Sequence, residues 1–281
     1  MRAVILSSNR EFELVELPVP EGDDVVRVLA CGLCGSDVEK IGSAVPGTVL
    51  GHEVAAELRE GRLVALVHHR PCGECERCRA GHESTCAEFS APTIEPGGFA
   101  ELVSPLGGWV ELPTGVDPPR ATYVEPLACV LRSVELVPQG EVLVLGGGFI
   151  GALYAAVLRR RGDTVYIRDL NPARTGPEPA GPVAAVVICA SGAGADALEA
   201  VEPGGTVLVF AHPGPLELGP VYRGEITLVG SRSATPRHME EAARLLPELD
   251  LPEPAVYPLA EFERGLDAYM SGQALKVVFT P

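Results

Sequence analysis

The sequence predicts an α/β protein of two domains, one rich in short strands and one built on a reduced parallel sheet. The chain has 281 residues, of which 46% are apolar, so it is long enough for about two domains with sizeable cores. Short Val- and Leu-rich segments separated by glycine and proline fill residues 1–132, which is typical of a strand-rich domain. Apolar strands alternate with helical segments over residues 133–234, which is typical of a parallel sheet.

Charge and hydropathy exclude several kinds of partner. Acidic residues number 38 and basic residues 22, so the formal net charge is −16. Nucleic acid and anionic membrane surfaces repel so acidic a chain, and neither is expected as a partner. The longest uncharged stretch, residues 142–158, is shorter than the ~20 residues of a membrane helix and contains three consecutive glycines. Because no signal peptide is visible, we expect a cytoplasmic protein whose eight cysteines are reduced.

Four closely spaced cysteines form the sharpest motif in the chain. The gaps between them are two, two and seven residues. Four thiolates at such spacings can surround one Zn²⁺ ion, and a shell closed in this way is structural because it leaves no position for substrate. Disulfides are not expected in a cytoplasmic chain, so residues 71–88 are predicted to form a structural zinc lobe. The predicted ligands are Cys72, Cys75, Cys78 and Cys86.

A glycine-rich loop between a strand and a helix predicts a dinucleotide site. Residues 141–145 form an apolar strand and residues 152–161 a helix, and the loop between them contains the spacing G-x-G-x-x-G. The first glycine permits the tight turn, the second lets backbone approach the pyrophosphate, and the third lets the helix meet the strand. The helix N-terminus then faces the phosphates. The predicted cofactor-binding residues of this loop are Gly146, Gly148, Phe149, Ile150 and Gly151.

Two later residues extend this predicted site. Asp169 ends the next strand, where an acid can accept a hydrogen bond from the ribose 2′-hydroxyl, and this favours NAD over NADP. Arg168 and Arg174 flank the acid and leave NADP as an alternative. His212 follows a later strand at the edge where open sheets bind ligands, so it is a candidate for the nicotinamide pocket. The alternative is a loop histidine with no such role.

The predicted sheet departs from a full dinucleotide-binding domain in one place. Residues 170–182 contain four prolines, which exclude a long helix, and the next apolar strand follows at residue 183. In the usual strand order 3-2-1-4-5-6 the third strand lies at an edge, so the rest of the sheet can form without it. We therefore expect a reduced parallel sheet that lacks this edge strand.

Further metal-ligand residue types occur on both sides of the cysteine lobe. The sequence reads C-G-L-C-G-S-D at residues 31–37, L-G-H-E at residues 50–53 and Y-V-E-P-L-A at residues 123–128. Alone, the first motif could be a redox pair or half a zinc ribbon. Together with the lobe and the glycine loop, in this order, the motifs resemble those of the zinc-containing medium-chain alcohol and polyol dehydrogenases. The V-E-P-L-A form resembles the sorbitol and threonine dehydrogenase branch.

The resemblance implies a catalytic zinc in the first domain. Cys34, His52 and Glu125 would hold it and leave a fourth position open. Taken alone, Glu125 also fits the first turn of a helix, where an acid is stabilised. Asp37 would accept a hydrogen bond from the His52 ring and set its tautomer, and Glu53 would lie just behind the ion.

The resemblance also implies a proton route. Ser36 would receive the proton of the substrate. Glu39 stands where many relatives have the histidine that ends this route, so either Glu39 or water accepts the proton next. His68 and His69, just before the lobe, are expected to be structural.

For the whole chain the resemblance implies a GroES-like catalytic domain, residues 1–132 and 235–281, and a Rossmann-type NAD-binding domain, residues 133–234. Substrate and nicotinamide would lie in the cleft between them. The expected reaction transfers a hydride between a secondary alcohol, of a polyol or sugar, and NAD, in a homodimer or homotetramer. The alternatives are an amino-alcohol substrate such as threonine, an NADP-linked reaction, and a non-catalytic dinucleotide-binding sensor or scaffold.

Overall fold

A computed structural model describes residues 1–22 and 24–281. The strands, in chain order, are β1 (Arg2–Leu6), β2 (Phe12–Glu16), β3 (Val26–Gly32), β4 (Glu53–Glu57), β5 (Leu63–Leu66), β6 (Leu102–Val103), β7 (Trp109–Glu111), β8 (Glu141–Leu145), β9 (Thr164–Arg168), β10 (Val183–Ile188), β11 (Val201–Val209), β12 (Thr227–Gly230), β13 (Ala255–Pro258) and β14 (Val277–Thr280). The helices are α1 (Gly35–Glu39), α2 (Glu76–Arg79), α3 (Pro118–Ala121), α4 (Val124–Val134), α5 (Phe149–Arg161), α6 (Gly194–Ala200), α7 (Leu218–Gly224), α8 (Pro236–Leu245) and α9 (Phe262–Met270).

The chain divides into two compact units. The first comprises Met1–Ala128, Ala234–Glu248 and Glu253–Pro281. The second comprises Cys129–Ser233 and Leu249–Pro252. Among the described residues, every helix is too short or too polar to cross a membrane.

The first unit is built on a sheet in the order β13-β14-β3-β4-β5-β7, beside a hairpin of β1 and β2. Its core is apolar and includes three packed phenylalanines. The rings of Phe262 and Phe279 stack at 4.2 Å, and Phe99 meets Phe279 edge-on at 5.6 Å. Because β14 pairs with β3 in the middle of the sheet, the C-terminal strand is anchored beside the strand that leads to α1.

The pairing of β3 with β4 positions the first predicted metal site. These strands are antiparallel, and Gly32 at the end of β3 lies opposite Glu53 at the start of β4. The segment after β3 and the segment before β4 therefore lie at the same edge of the sheet. Gly51 in the second segment has φ +90°, and a Cβ there would lie 2.8 Å from the Sγ of Cys31, so only glycine fits the turn.

The second unit contains a parallel sheet in the order β12-β11-β10-β8-β9. The described residues place no strand beyond β9, so the prediction of a reduced sheet is confirmed. The proline-rich segment lies along this edge instead. The N–H of Gly176 donates to the carbonyl of Ile167 (2.9 Å), and the Thr175 hydroxyl donates to the carbonyl of Asp169 (2.9 Å). These bonds cover part of an edge that would otherwise offer free backbone groups to another chain.

Candidate metal centres and dinucleotide site

Three side chains of the first unit converge where β3 ends and β4 begins. One ligand atom from each of Cys34, His52 and Glu53 lies within 4.8 Å of the other two. Cys34 precedes α1 directly, His52 precedes β4, and Glu53 is the first residue of β4. The cluster is largely buried, with His52 7% and Glu53 1% exposed. Residues 18 positions apart (52 − 34) thus share one site because two antiparallel strands end there.

Asp37 holds this cluster together. Its carboxylate accepts from the N–H of Cys34 (3.1 Å), from the N–H of Gly51 (3.3 Å) and from the Nδ1 of His52 (3.3 Å). Burial by itself would raise the pKa of Asp37, but the His52 ring and the two N–H groups lower it. Burial likewise opposes charge on His52, yet the Asp37 carboxylate raises the pKa of that imidazole well above its usual value. Because Nδ1 faces Asp37, Nε2 is the nitrogen available to a metal.

Glu53 is engaged by a second charged group. The Nζ of Lys276 donates to its carboxylate and to the carbonyl of Leu33 (3.0 Å). Both side chains are buried, and Gly32 provides the space, since a Cβ there would overlap the Glu53 carboxylate. Burial alone would lower the pKa of Lys276, but the Glu53 carboxylate raises it. The charge of Glu53 is therefore already neutralised within the protein.

Glu125 lies in the first turn of α4 and is buried, with 8% of its surface exposed. It belongs to the same compact unit as the cluster. In the part of the chain that the structure describes, the carboxylate grouped within 4.8 Å of the ligand atoms of Cys34 and His52 is that of Glu53. Glu125 is not in this group. Its role as a zinc ligand stays a prediction.

The residue types and distances of the cluster fit zinc. Ligand atoms around a tetrahedral Zn²⁺, with bonds of ~2.0–2.3 Å, lie ~3.3–3.8 Å apart, which falls inside the observed 4.8 Å limit. Thiolate, imidazole and carboxylate are all ligands that Zn²⁺ accepts, and three protein ligands leave one position open.

The other predicted catalytic residues surround this cluster. Ser36 and Glu39 lie on α1, the first half-buried and the second exposed. Cys31 is buried on β3, and burial raises the pKa of its thiol well above the usual value, as expected for a neighbour of the site that stays protonated. The sequence analysis does not identify Lys276 as a residue of this site. An isolated lysine directly before an apolar strand could have indicated a buried charge.

The four lobe cysteines also come together, around α2. The Sγ–Sγ distances are 3.5 Å for Cys75–Cys78, 3.6 Å for Cys72–Cys86 and 3.9 Å for Cys72–Cys78. Four thiolates at ~2.3 Å from one Zn²⁺ would lie ~3.8 Å apart, so the lobe fits a closed tetrahedral site. Hydrogen bonds from backbone N–H groups, of which that of Glu74 has the largest effect, lower the pKa of Cys72 to about 7. A lowered pKa favours the thiolate.

The glycine loop of the second unit has the geometry that the motif predicts. Gly146 has φ +107°, and a Cβ on Gly151 would lie 1.9 Å from the Gly146 carbonyl oxygen, so α5 can meet β8 only through glycine. Gly148 is the N-cap of α5, and nothing lies within 4 Å of the position its Cβ would take. Phe149 and Ile150 form the first turn of α5, which begins three residues before the predicted start.

Asp169 lies directly after β9 and is bound to the glycine loop. One carboxylate oxygen accepts from the N–H of Gly147 (2.7 Å), and the other accepts from the N–H of Asn171 (2.7 Å). His212 lies after β11, where its Nδ1 accepts from the N–H of Gly214 (3.2 Å). The acid is thus oriented at the carboxyl end of the sheet, whereas the role of His212 in cofactor binding stays a prediction.

A strand-rich unit with two clusters of zinc-ligand residues, and a parallel sheet with a glycine loop, are the features expected of a zinc-type dehydrogenase. The family model of the alcohol dehydrogenase GroES-like domain matches residues 20–110. L-galactonate-5-dehydrogenase of Escherichia coli is 28% identical over 87% of both chains. Sorbitol dehydrogenase of Halalkalibacterium halodurans is 28% identical over 94% of this chain and 93% of its own.

The fold agrees with these sequence relatives. Galactitol-1-phosphate dehydrogenase from Escherichia coli superposes with a TM-score of 0.84 over 100% of both chains, at 24% identity. The chain is similar to zinc-type medium-chain alcohol and polyol dehydrogenases, and the resemblance, the two-part α/β fold and the enzyme class expected from the sequence are confirmed.

Proposed function

We propose that this chain transfers a hydride between a secondary alcohol group of a polyol or sugar and NAD, with one zinc at an open site and a second in the cysteine lobe. The observation that carries the proposal is the binding of Asp37 to the backbone of Cys34 and to the ring of His52 at once. A carboxylate that orients a histidine in this way is typical of metal ligation.

We assign Cys34, His52 and Glu125 as the ligands of the open site. Glu53 is the competing carboxylate, but Lys276 already neutralises it, so its charge is not available in full to an ion. Burial of Glu125 in the same unit supports its assignment. Zinc bound there would supply Lewis-acid polarisation of the substrate oxygen.

The proton released by the alcohol needs an acceptor from the protein. Ser36 is half-buried on α1, one residue beyond the helix start, and we assign its Oγ as the first acceptor. Glu39 is exposed on the same helix and can pass the proton to solvent. Water at that position is the alternative acceptor.

NAD is favoured over NADP by Asp169. Both carboxylate oxygens are held by backbone N–H groups, so the acid is fixed where the ribose 2′-hydroxyl would lie. A 2′-phosphate there would bring two negative groups together.

The polyol or sugar class is supported by the relatives, which act on L-galactonate and sorbitol as their names state. A homodimer or homotetramer stays a prediction.

The test combines a metal count with a substrate panel. Purified protein should hold two zinc ions per chain and reduce NAD faster than NADP with polyols or sugar acids, measured by the absorbance of reduced nicotinamide. Glu125→Ala should hold one ion and lose turnover, whereas the exposed control Glu202→Ala should keep both. Two ions and full turnover in Glu125→Ala would refute this ligand, and loss of the open-site ion in Glu53→Ala alone would assign Glu53 instead.

A further inference from the structure

A column of ring contacts, two of them stacked and one tilted, runs between the open metal site and the cysteine lobe. The ring centroids of His52 and His68 lie 4.3 Å apart, with 28° between their planes. His68 and His69 are 3.8 Å apart at 39°, and His69 and Phe89 are 4.0 Å apart at 21°. These four residues form what we call the imidazole column. Each contact is short enough for the rings to restrict one another's tilt.

The lobe end of the column is anchored inside the cysteine lobe. Phe89 is buried and packs in one apolar cluster with Cys78 and Cys86. Its backbone carbonyl lies 2.9 Å from the Nδ1 of His69. Because a carbonyl only accepts, that nitrogen carries the hydrogen, which sets the tautomer of His69.

His68 occupies the middle of the column. It follows β5 closely, and the Thr93 hydroxyl donates to its backbone carbonyl, so its backbone is held from a second segment. The His68 ring is half-buried between the rings on either side of it. The His68 ring therefore links the His52 ring to the His69 ring.

The contact on the face of His52 constrains a motion that its other contacts leave free. Asp37 holds Nδ1, and a metal would hold Nε2, but both atoms lie in the plane of the ring. Two in-plane contacts still allow the ring to tilt about the axis through them. A ring packed against the face of His52 limits this tilt and holds the plane of the imidazole, in which the Nε2 lone pair lies.

We propose that His68 and His69 are positioning residues through which the metal content of the cysteine lobe controls the affinity of the open site for zinc. With the four thiolates gathered by an ion, Phe89 and the rest of the column are fixed. With the lobe empty, Phe89 loosens, the column loses its anchor and His52 is less well oriented. This inference rests on the proposed function, because it takes Cys34 and His52 as zinc ligands.

The coupling is tested with a double-mutant cycle on zinc affinity at the open site, measured by competition with a chromophoric chelator. His68→Ala and Cys72→Ser should each weaken that affinity about tenfold, the low end of what loss of an orienting contact costs a metal site. The double variant should be no weaker than either single one, since both break the same column. Fully additive losses would overturn the proposal.

Two further variants separate stacking from other effects. His68→Phe keeps a flat ring and should retain the zinc affinity of the open site within about twofold. A zinc affinity as low as that of His68→Ala would show that a ring nitrogen of His68 is needed, and would overturn the claim that stacking positions His52. His82→Ala removes an exposed lobe histidine outside the column and should change nothing. An equal loss in His82→Ala would make the effect a general one of the lobe.

A measurement on metal-free protein keeps the test independent of zinc at the open site. The ring protons of His52 should show an upfield shift from the His68 ring in nuclear magnetic resonance spectra, and this shift should disappear in His68→Ala. If wild type holds one zinc and the shift is present, the proposed function fails at the open site while the column stands. If wild type holds two ions, and affinity and resonance are unchanged in all variants, the column is overturned and the proposed function stands.

Discussion

The Lys276 ammonium donates to the Glu53 carboxylate across 223 positions of sequence, with 3% and 1% of the two side chains exposed. This pair joins the C-terminal strand to the residue that follows His52. A second bond from Lys276, to the carbonyl of Leu33, attaches the same ammonium to the segment before Cys34. One lysine therefore connects the two segments that supply Cys34 and His52.

Removal of this lysine should be strongly destabilising. Lys276→Met leaves a buried carboxylate without its counter-charge, which typically costs about 3–5 kcal/mol. The free energy of unfolding from urea titration measures the loss. The double variant Lys276→Met with Glu53→Gln should recover part of it, because the uncompensated charge is gone.

The other lysine of the chain provides the matched control. Lys40 is exposed, and Lys40→Met should change the free energy of unfolding by no more than about 0.5 kcal/mol. Equal losses in the two lysine variants would contradict a specific role for the buried pair.

Asp163 should make stability depend on pH at the acid end. Its carboxylate accepts from the N–H of Gly140 (2.9 Å) and from the Nε of Arg161 (2.7 Å). Burial alone would raise the pKa of Asp163, but these bonds lower it. A lowered folded-state pKa adds stability above the unfolded value of about 4, and this stability is lost as the pH falls through the folded pKa. Asp163→Asn should cost about 1 kcal/mol at pH 7.

The pH profile distinguishes this charge effect from simple loss of a side chain. Urea titrations should show the full difference between wild type and Asp163→Asn at pH 7 and pH 5, and a smaller difference below about pH 4. Asp250→Asn, at an exposed position, should follow wild type throughout. A difference that stays constant down to pH 3 would argue against the charge.

Alanine substitution at two glycines of the dinucleotide loop should affect different properties, stability at one and NAD affinity at the other. In Gly151→Ala the new Cβ meets the Gly146 carbonyl oxygen, so α5 must move and the unfolding free energy should fall by about 1–3 kcal/mol. In Gly148→Ala the Cβ meets nothing, so the fold should keep its stability while NAD affinity, measured by calorimetry, falls. Normal NAD affinity in Gly148→Ala would place the pyrophosphate elsewhere.

Substitution of Asp169 should change cofactor preference. Asp169→Ser removes the charge beside the 2′ position, and loss of one charged hydrogen bond should weaken NAD about tenfold or more. NADP should be weakened less, so the ratio of the two dissociation constants should shift towards NADP. Glu202→Ser, at an exposed position of the same unit, should leave the ratio nearly unchanged. An unaltered ratio in Asp169→Ser would remove the basis for the NAD assignment.

Local motifs predict much of the fold and of the site. The cysteine lobe and the glycine loop each depend on residues within one short stretch, so their spacing predicts the site that forms. The reduced sheet was predictable in the same way, since four prolines between Asp169 and β10 exclude a helix. The resemblance to a known family added the convergence of Cys34 with His52.

The sequence by itself therefore predicted the resemblance to zinc-type dehydrogenases, the four-cysteine lobe and the missing edge strand, because each follows from neighbours along the chain or from a motif. The tertiary structure alone decided that Lys276 neutralises Glu53 and that His68 stacks on His52. These contacts depend on the pairing of β14 with β3 and of β3 with β4, and on how distant segments pack against each other. No local pattern specifies such contacts, since side chains far apart in sequence meet only once the sheet has formed.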